Sequence, residues 1–154
     1  MMKNDAIRRA FQLLKEQFGV EESELEFKLR ERGRGKLYAF KDEMCSAEDS
    51  GGAEKHAGIY FGKLEKDGLR LSIEGSFLVG AKARRGVLNL SDEEARKWLR
   101  GEDLESKVKG YVILKWRSYF LGCGKGNGKF IKNFVPKERW LSRDGTESVS
   151  APHG

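Results

Sequence analysis

Apolar residues at the start of the chain recur at a helical spacing. Ile7, Phe11, Leu14 and Phe18 fall at i, i+4, i+7 and i+11, with Asn4 ahead of them as a cap and Gly19 behind as a left-handed stop. That spacing predicts an amphipathic helix of about four turns. The period then drops to two. Leu25, Phe27 and Leu29 alternate with Glu26, Lys28 and Arg30, the Gly33-Arg34-Gly35 triplet supplies a turn, and Leu37, Tyr38 and Phe40 form a second short strand. A β-hairpin is expected there. Residues 41–56 follow neither period and are rich in Asp, Glu, Ser and Gly, which reads as an exposed loop.

Strand patterning resumes at residues 57–62, turns at Lys66-Asp67-Gly68 and continues through Leu69 and Leu71, with Asp-Gly as the hairpin signal. A short helical turn at 74–78, closed by Gly80, leads past Lys82, Arg84 and Arg85 to a strand at 87–90. Ser91 with Glu94 three positions later is a capping box, and it should start a helix through Trp98 and Leu99 that Gly101 ends. Residues 108–115, 119–122 and 129–135 read as further strands, the last stopping before Pro136. Short strands, little helix and 19 glycines predict an α+β chain: a small, mixed, partly closed β pseudo-barrel with short helices, preceded by an N-terminal helix and β-hairpin. The expected divisions are a helix-plus-hairpin unit at 1–43, an exposed loop at 44–56, the barrel domain at 57–141 and a disordered tail at 142–154.

Charge sharpens this outline. The net charge of +6 is not spread evenly: residues 107–143 hold ten Lys or Arg against one acid, Glu138, while the first 106 residues are nearly balanced. No acid occurs between Ser106 and Lys137, so ion pairs within that stretch are unavailable and its self-repulsion calls for a polyanion. Nucleic acid suits it, because Tyr111, Trp116, Tyr119, Phe120, Phe130, Phe134 and Trp140 lie among the cations. Most of these rings are expected in the barrel core; Tyr119 and Trp140 remain as base-stacking candidates. The load of Glu, Lys and Arg, with only two Gln, also fits a thermophile's composition. No stretch approaches the roughly 18 apolar residues of a membrane span, and the start lacks an apolar signal region, so a cytoplasmic protein without membrane contact is expected.

Catalytic motifs are missing. The run of alternating glycines from Gly122 to Gly128 is no Walker A loop, since Cys123 stands where that motif needs Gly and Phe130 where it needs Ser or Thr. Gly126-Asn127-Gly128 reads as a glycine hairpin joining two strands, with Asn127-Gly128 favouring a type I′ turn. Cys45 and Cys123 have no CxxC spacing and no His or Asp placed to activate them, and His56 and His153 lie in polar or terminal contexts. Neither a metal nor a cofactor site is predicted, and no catalytic residue is assigned.

Three blocks carry a family resemblance: LRGEDL at 99–104, KGYVIL at 109–114 and YFLGCGKGNGKFIKNFVPKERW at 119–140. They resemble the C-terminal RNA-binding region of Sun-family RNA cytosine-5 methyltransferases, a PUA-like domain. The resemblance departs from the family at Tyr111, where Trp is usual, and at Phe134, where His or Tyr is common. The family's methyl-donor domain and its Pro-Cys pair have no counterpart ahead of this region, and neither cysteine here follows a proline. The resemblance therefore implies the RNA-binding half without the catalytic half: a non-catalytic protein that recognises structured tRNA or rRNA, in RNA modification or ribosome assembly. On that reading Lys115, Arg117, Lys125, Lys129, Lys132, Lys137 and Arg139 face the RNA, Arg84 and Arg85 extend the surface, and Asn133 bonds a base edge or orients the last strand. Two alternatives stay open: an accessory subunit that completes an RNA-modifying methyltransferase in trans, and a protein-interaction module in a ribosome-assembly complex.

Overall fold

The helical pattern at the start of the chain becomes α1 (Met2–Phe18) in a computed structural model that describes residues 2–41 and 58–140. The helix begins ahead of Asn4, so Asn4 lies inside it rather than capping it. Ala10, Leu14 and Phe18 are wholly buried and Ile7 and Phe11 pack beside them, one face of the helix. Gly19, at φ 69°, donates its N–H to Lys15 O at 3.0 Å and ends the helix.

A first antiparallel sheet follows in simple order: β1 (Lys28–Glu31), β2 (Lys36–Phe40), β3 (Ile59–Glu65) and β4 (Gly68–Leu71). Leu25 and Phe27, expected within β1, pack on the core from the irregular stretch ahead of it. Strand β2 pairs with β3, so the N-terminal hairpin and the β3–β4 hairpin belong to one sheet. The expected loop at 44–56 and tail at 142–154, with Cys45, His56 and His153, lie outside the described residues. Ser72 caps α2 (Ile73–Gly80), a full two-turn helix where the sequence suggested a single turn; its hydroxyl accepts from Gly75 N at 2.9 Å and donates to Tyr60 O at 2.7 Å.

The second sheet is a curled half-barrel consistent with the PUA-like expectation. Its strands are β5 (Val87–Asn89), β6 (Leu104–Glu105), β7 (Lys109–Trp116), β8 (Tyr119–Asn127) and β9 (Phe130–Asn133), ordered β5-β7-β8-β9-β6. Strand β5 runs parallel to β7 and the other pairs are antiparallel. The predicted capping box is present: Ser91 and Glu94 bond each other's backbone N–H groups and open α3 (Asp92–Leu99).

Alternation along β7 divides two cores. Ile113 joins Leu14, Phe18, Leu37, Phe61, Leu69 and Cys123 beneath the first sheet and α1. Val112 and Leu114 point the other way, toward Trp98 of α3, Leu104 and Ile131. The expected hairpin at Gly126-Asn127-Gly128 joins β8 to β9, while Gly122, Gly124 and Gly126 lie within β8 itself, and the reason lies in the second core. A Cβ on Gly124 would stand 2.5 Å from Ile131 Cγ2 and 2.7 Å from the Trp98 ring, and one on Gly126 would run into Val108 O. These glycines let the sheet curl tightly around α3.

The turn that closes β8 and β9 also differs from the expected type I′. Asn127 does not have the positive φ such a turn needs. Instead its Oδ1 accepts the N–H groups of Lys129 at 2.8 Å and Phe130 at 2.9 Å, while Gly128 takes the left-handed conformation at φ 96°.

Candidate nucleic-acid interface

The β8–β9 hairpin sets out the densest group of candidate contacts. Lys125 and Lys132 sit directly opposite each other, and Tyr111 opposes Lys125 from β7, so the three side chains form one row on one face. Lys109 and Asn127 pair two residues further along that face, and Lys129 projects from the turn beyond. Lys109, Lys129 and Lys132 are exposed, and no described residue forms an ion pair with them. Phe130, which the strand pattern placed in the core, is 44% exposed beside them.

Lys125 differs from its neighbours. Its ammonium is paired with Asp67 at the β3–β4 turn, and the Tyr111 hydroxyl donates to the same carboxylate at 2.9 Å. The Lys125 hydrogen bond, with that of Tyr111 behind it, holds the Asp67 carboxyl below its ordinary range. Burial, then the Asp67 bond, pushes the Tyr111 phenol up. Two like charges directly opposite would repel, and Asp67 offsets that repulsion on the Lys125 side.

Lys137 and Arg139 follow β9 in a one-turn 3-10 helix. Lys137 is exposed, and Arg139 reaches Glu74 Oε2 at 3.4 Å. The side chain of Asn133 is fully engaged: its Nδ2 donates to Trp98 O at 2.8 Å and Glu102 O at 2.9 Å, and its Oδ1 accepts from Val135 N at 2.7 Å. It fastens the end of β9 to the end of α3.

The remaining candidates have partners within the fold. Lys115 and Arg117 are at the far end of the β7–β8 hairpin, about 20–25 Å along the strands from Lys109. Lys115 sits 5.3 Å over the Phe120 ring. Arg117, left-handed at φ 57°, bonds Asp92 at 3.1 Å and stacks on Trp116 at 4.9 Å. The Trp116 indole N–H, with Arg117 second, holds the Asp92 carboxyl below its usual range. Arg84 pairs with Glu24 and donates to Gly19 O at 2.5 Å, and Arg85 donates to Lys15 O at 2.6 Å and Glu16 O at 3.0 Å. Both arginines thus bind the C-terminal end of α1.

Next to the lysine row on the same face is a cleft of about 300 Å³ between the two sheets. Arg70, for which no sequence pattern argued, stands in its wall with the guanidinium 4.6 Å over the Phe134 ring. Cys123 forms part of its floor, buried with the first core, and burial pushes that thiol up to about 12. Among the described residues, no three His, Cys, Asp or Glu side chains are grouped to hold a metal ion, and no helix is long and apolar enough to cross a membrane.

The family match falls on the segment that holds the curled sheet and the lysine row. Residues 85–141 match the family described as the methyltransferase RsmF PUA domain. The chain is 34% identical over 90 residues to ribosomal RNA small subunit methyltransferase F of Aeromonas salmonicida, covering 56% of this chain and 18% of that protein. It is 30% identical over 95 residues to the same-named protein of Vibrio parahaemolyticus, covering 56% and 20%, and 31% identical over 90 residues to that of Photobacterium profundum, covering 56% and 18%. The chain thus spans about a fifth of the length of these curated relatives. The curled sheet, its glycine-lined strand and the lysine row are together an RsmF-type PUA domain, occupying part of this 154-residue chain.

Proposed function

We propose that this chain is a non-catalytic, cytoplasmic RNA-binding protein that recognises structured RNA, tRNA or rRNA, in the setting of rRNA modification. The observation that carries the reading is the group of exposed lysines with no ion-pair partner among the described residues, Lys129, Lys132 and Lys137, on a segment that matches the RsmF PUA family. These three, with Lys109 beside them, contact phosphates; Lys125 joins when RNA competes with Asp67 for its ammonium. Phosphate contacts supply affinity and its salt dependence, while RNA shape and unpaired bases supply specificity. Arg84, Arg85 and Asn133 serve the fold, and Arg117 and Lys115 lie beyond the footprint of a single RNA strand on the lysine row.

The relatives supply a second reading: they are named as methyltransferases, and an accessory subunit delivering RNA to a catalytic chain is compatible with the match. On either reading RNA binding comes first, so the test is a titration of the full chain with labelled small-subunit rRNA fragments and with heparin at matched charge. Tighter binding to the rRNA fragments is expected. Equal affinity for both polyanions would leave only charge attraction and remove RNA recognition from the proposal.

A further inference from the structure

We infer that the cleft between the two sheets receives one unpaired base of the bound RNA. This rests on the RNA-binding reading and extends it from phosphates to a base. The first support is position. Cys123, on the cleft floor, lies two residues from Lys125 along β8, so cleft and lysine row share a face and are about 7 Å apart along the strand. An RNA strand following Lys129 and Lys132 brings its next nucleotide to the cleft mouth.

The second support is lining. Arg70 over Phe134 is a ready-made stacking surface, and every base has a π-face to add to it. Tyr60 faces them, half-buried, and its hydroxyl has no hydrogen-bond partner among the described residues. At the rim, Arg139 and Glu74, each about half exposed, offer a donor and an acceptor for a base edge. The third support is size. About 300 Å³ is the lower bound of small-ligand pockets, enough for one nucleoside. The site is composite: Tyr60, Arg70 and Glu74 precede the segment matched to the RsmF PUA family, whereas Phe134 and Arg139 lie within it.

The test uses the full chain and two RNA hairpins, one blunt and fully paired, the other identical except for a single bulged 2-aminopurine. Binding by fluorescence anisotropy should favour the bulged hairpin roughly tenfold, within the range that stacking one base contributes, and 2-aminopurine emission should fall on binding. Phe134→Leu, which keeps an apolar side chain, and Arg70→Gln, on a partly exposed residue, should each abolish the preference and the emission change while leaving blunt-hairpin affinity as in the parent chain. Equal affinity for the two hairpins, or a preference that survives both substitutions, overturns the base site and leaves RNA binding standing. Failure to bind either hairpin overturns both.

Discussion

Arg84 and Arg85 beside the end of α1 and Lys129 and Lys132 on the β8–β9 hairpin are alike as sequence, two short basic clusters near glycines. They differ in what the fold sets against them. The arginines meet the end of α1, where the last carbonyls of a helix have no partners within it and carry the negative end of its dipole. Lys15, Glu16 and Gly19 each give Arg84 or Arg85 a carbonyl oxygen, and Glu24 adds a carboxylate. Lys132 stands on β9 and Lys129 at the turn ahead of it, where strand pairing and the Ser106 N–H take up the backbone carbonyls, in a stretch without acids. A cation's availability for RNA is thus decided by whether a helix end or a carboxylate reaches it first, and the local sequence does not report that.

Reversing the charge of the lysines should break the comparison most visibly. Lys129→Glu with Lys132→Glu should lower the dependence of log affinity on log salt by roughly 0.7–0.9 for each phosphate no longer neutralised. Thermal stability should stay within about 0.5 kcal/mol of the parent, since both side chains are exposed and make no ion pair with a described residue. Measuring the slope by anisotropy across a salt series and the melting temperature by circular dichroism checks both halves. An unchanged slope would move the interface off the β8–β9 hairpin.

The arginines should behave in the opposite way. Arg85→Ala removes two bonds to α1 and should lower the melting temperature by about 2–4 °C, the shift that ~1 kcal/mol gives in a chain of this size, with no change in the salt slope for RNA. The neighbouring Arg84–Glu24 pair adds a pH signature. The Arg84 hydrogen bond, then that of the Glu21 backbone, lowers the Glu24 carboxyl from its ordinary 4.5 to about 2. A depressed carboxylate contributes stability that is present above its unfolded value and lost as pH falls toward the folded one. Melting temperature should therefore drop more steeply between about pH 4.5 and 2 in the parent than in Glu24→Gln; parallel curves would show the pair to be loose in solution.

Much of the architecture is legible in the residue pattern, and the gaps have causes. Periodicity locates α1, the β1–β2 hairpin and α3 with its Ser91–Glu94 box, because each is specified by residues close in sequence. The hairpin at Gly126-Asn127-Gly128 is legible, but the strand's continuation through Cys123, Gly124 and Lys125 is not, because a glycine serves a turn and a close approach equally well and Trp98, beside Gly124, is more than twenty residues away. Phe130 reads as core because alternation within β9 does not show which face the neighbouring sheet covers. Asp67 carries a turn signal and Arg70 a strand position, but neither carries a local signal for a site: Tyr111 and Lys125 come from the other sheet and Phe134 from just after it, and only the packing of β4 against β7 and β8 joins them.

Asp67 gives the finest test, because it makes Lys125 an intermediate between the two classes of cation. Its carboxylate is shared by the Lys125 ammonium and the Tyr111 hydroxyl, so Lys125 begins like the arginines, paired within the fold, yet stands in the row of the free lysines. Asp67→Asn keeps an acceptor for Tyr111 and removes the charge that holds Lys125. If phosphate competes for that ammonium, the substitution should steepen the salt slope by at most roughly 0.7–0.9, as one further neutralised phosphate would, and tighten binding at low salt while screening erases the gain at high salt. The Lys125→Gln, Asp67→Asn double variant should return the slope to the parent value or below it. A slope that rises equally with Lys125 absent would assign the effect to the general removal of a negative charge, and would place Lys125 with Arg84 and Arg85 among the cations that serve the fold alone.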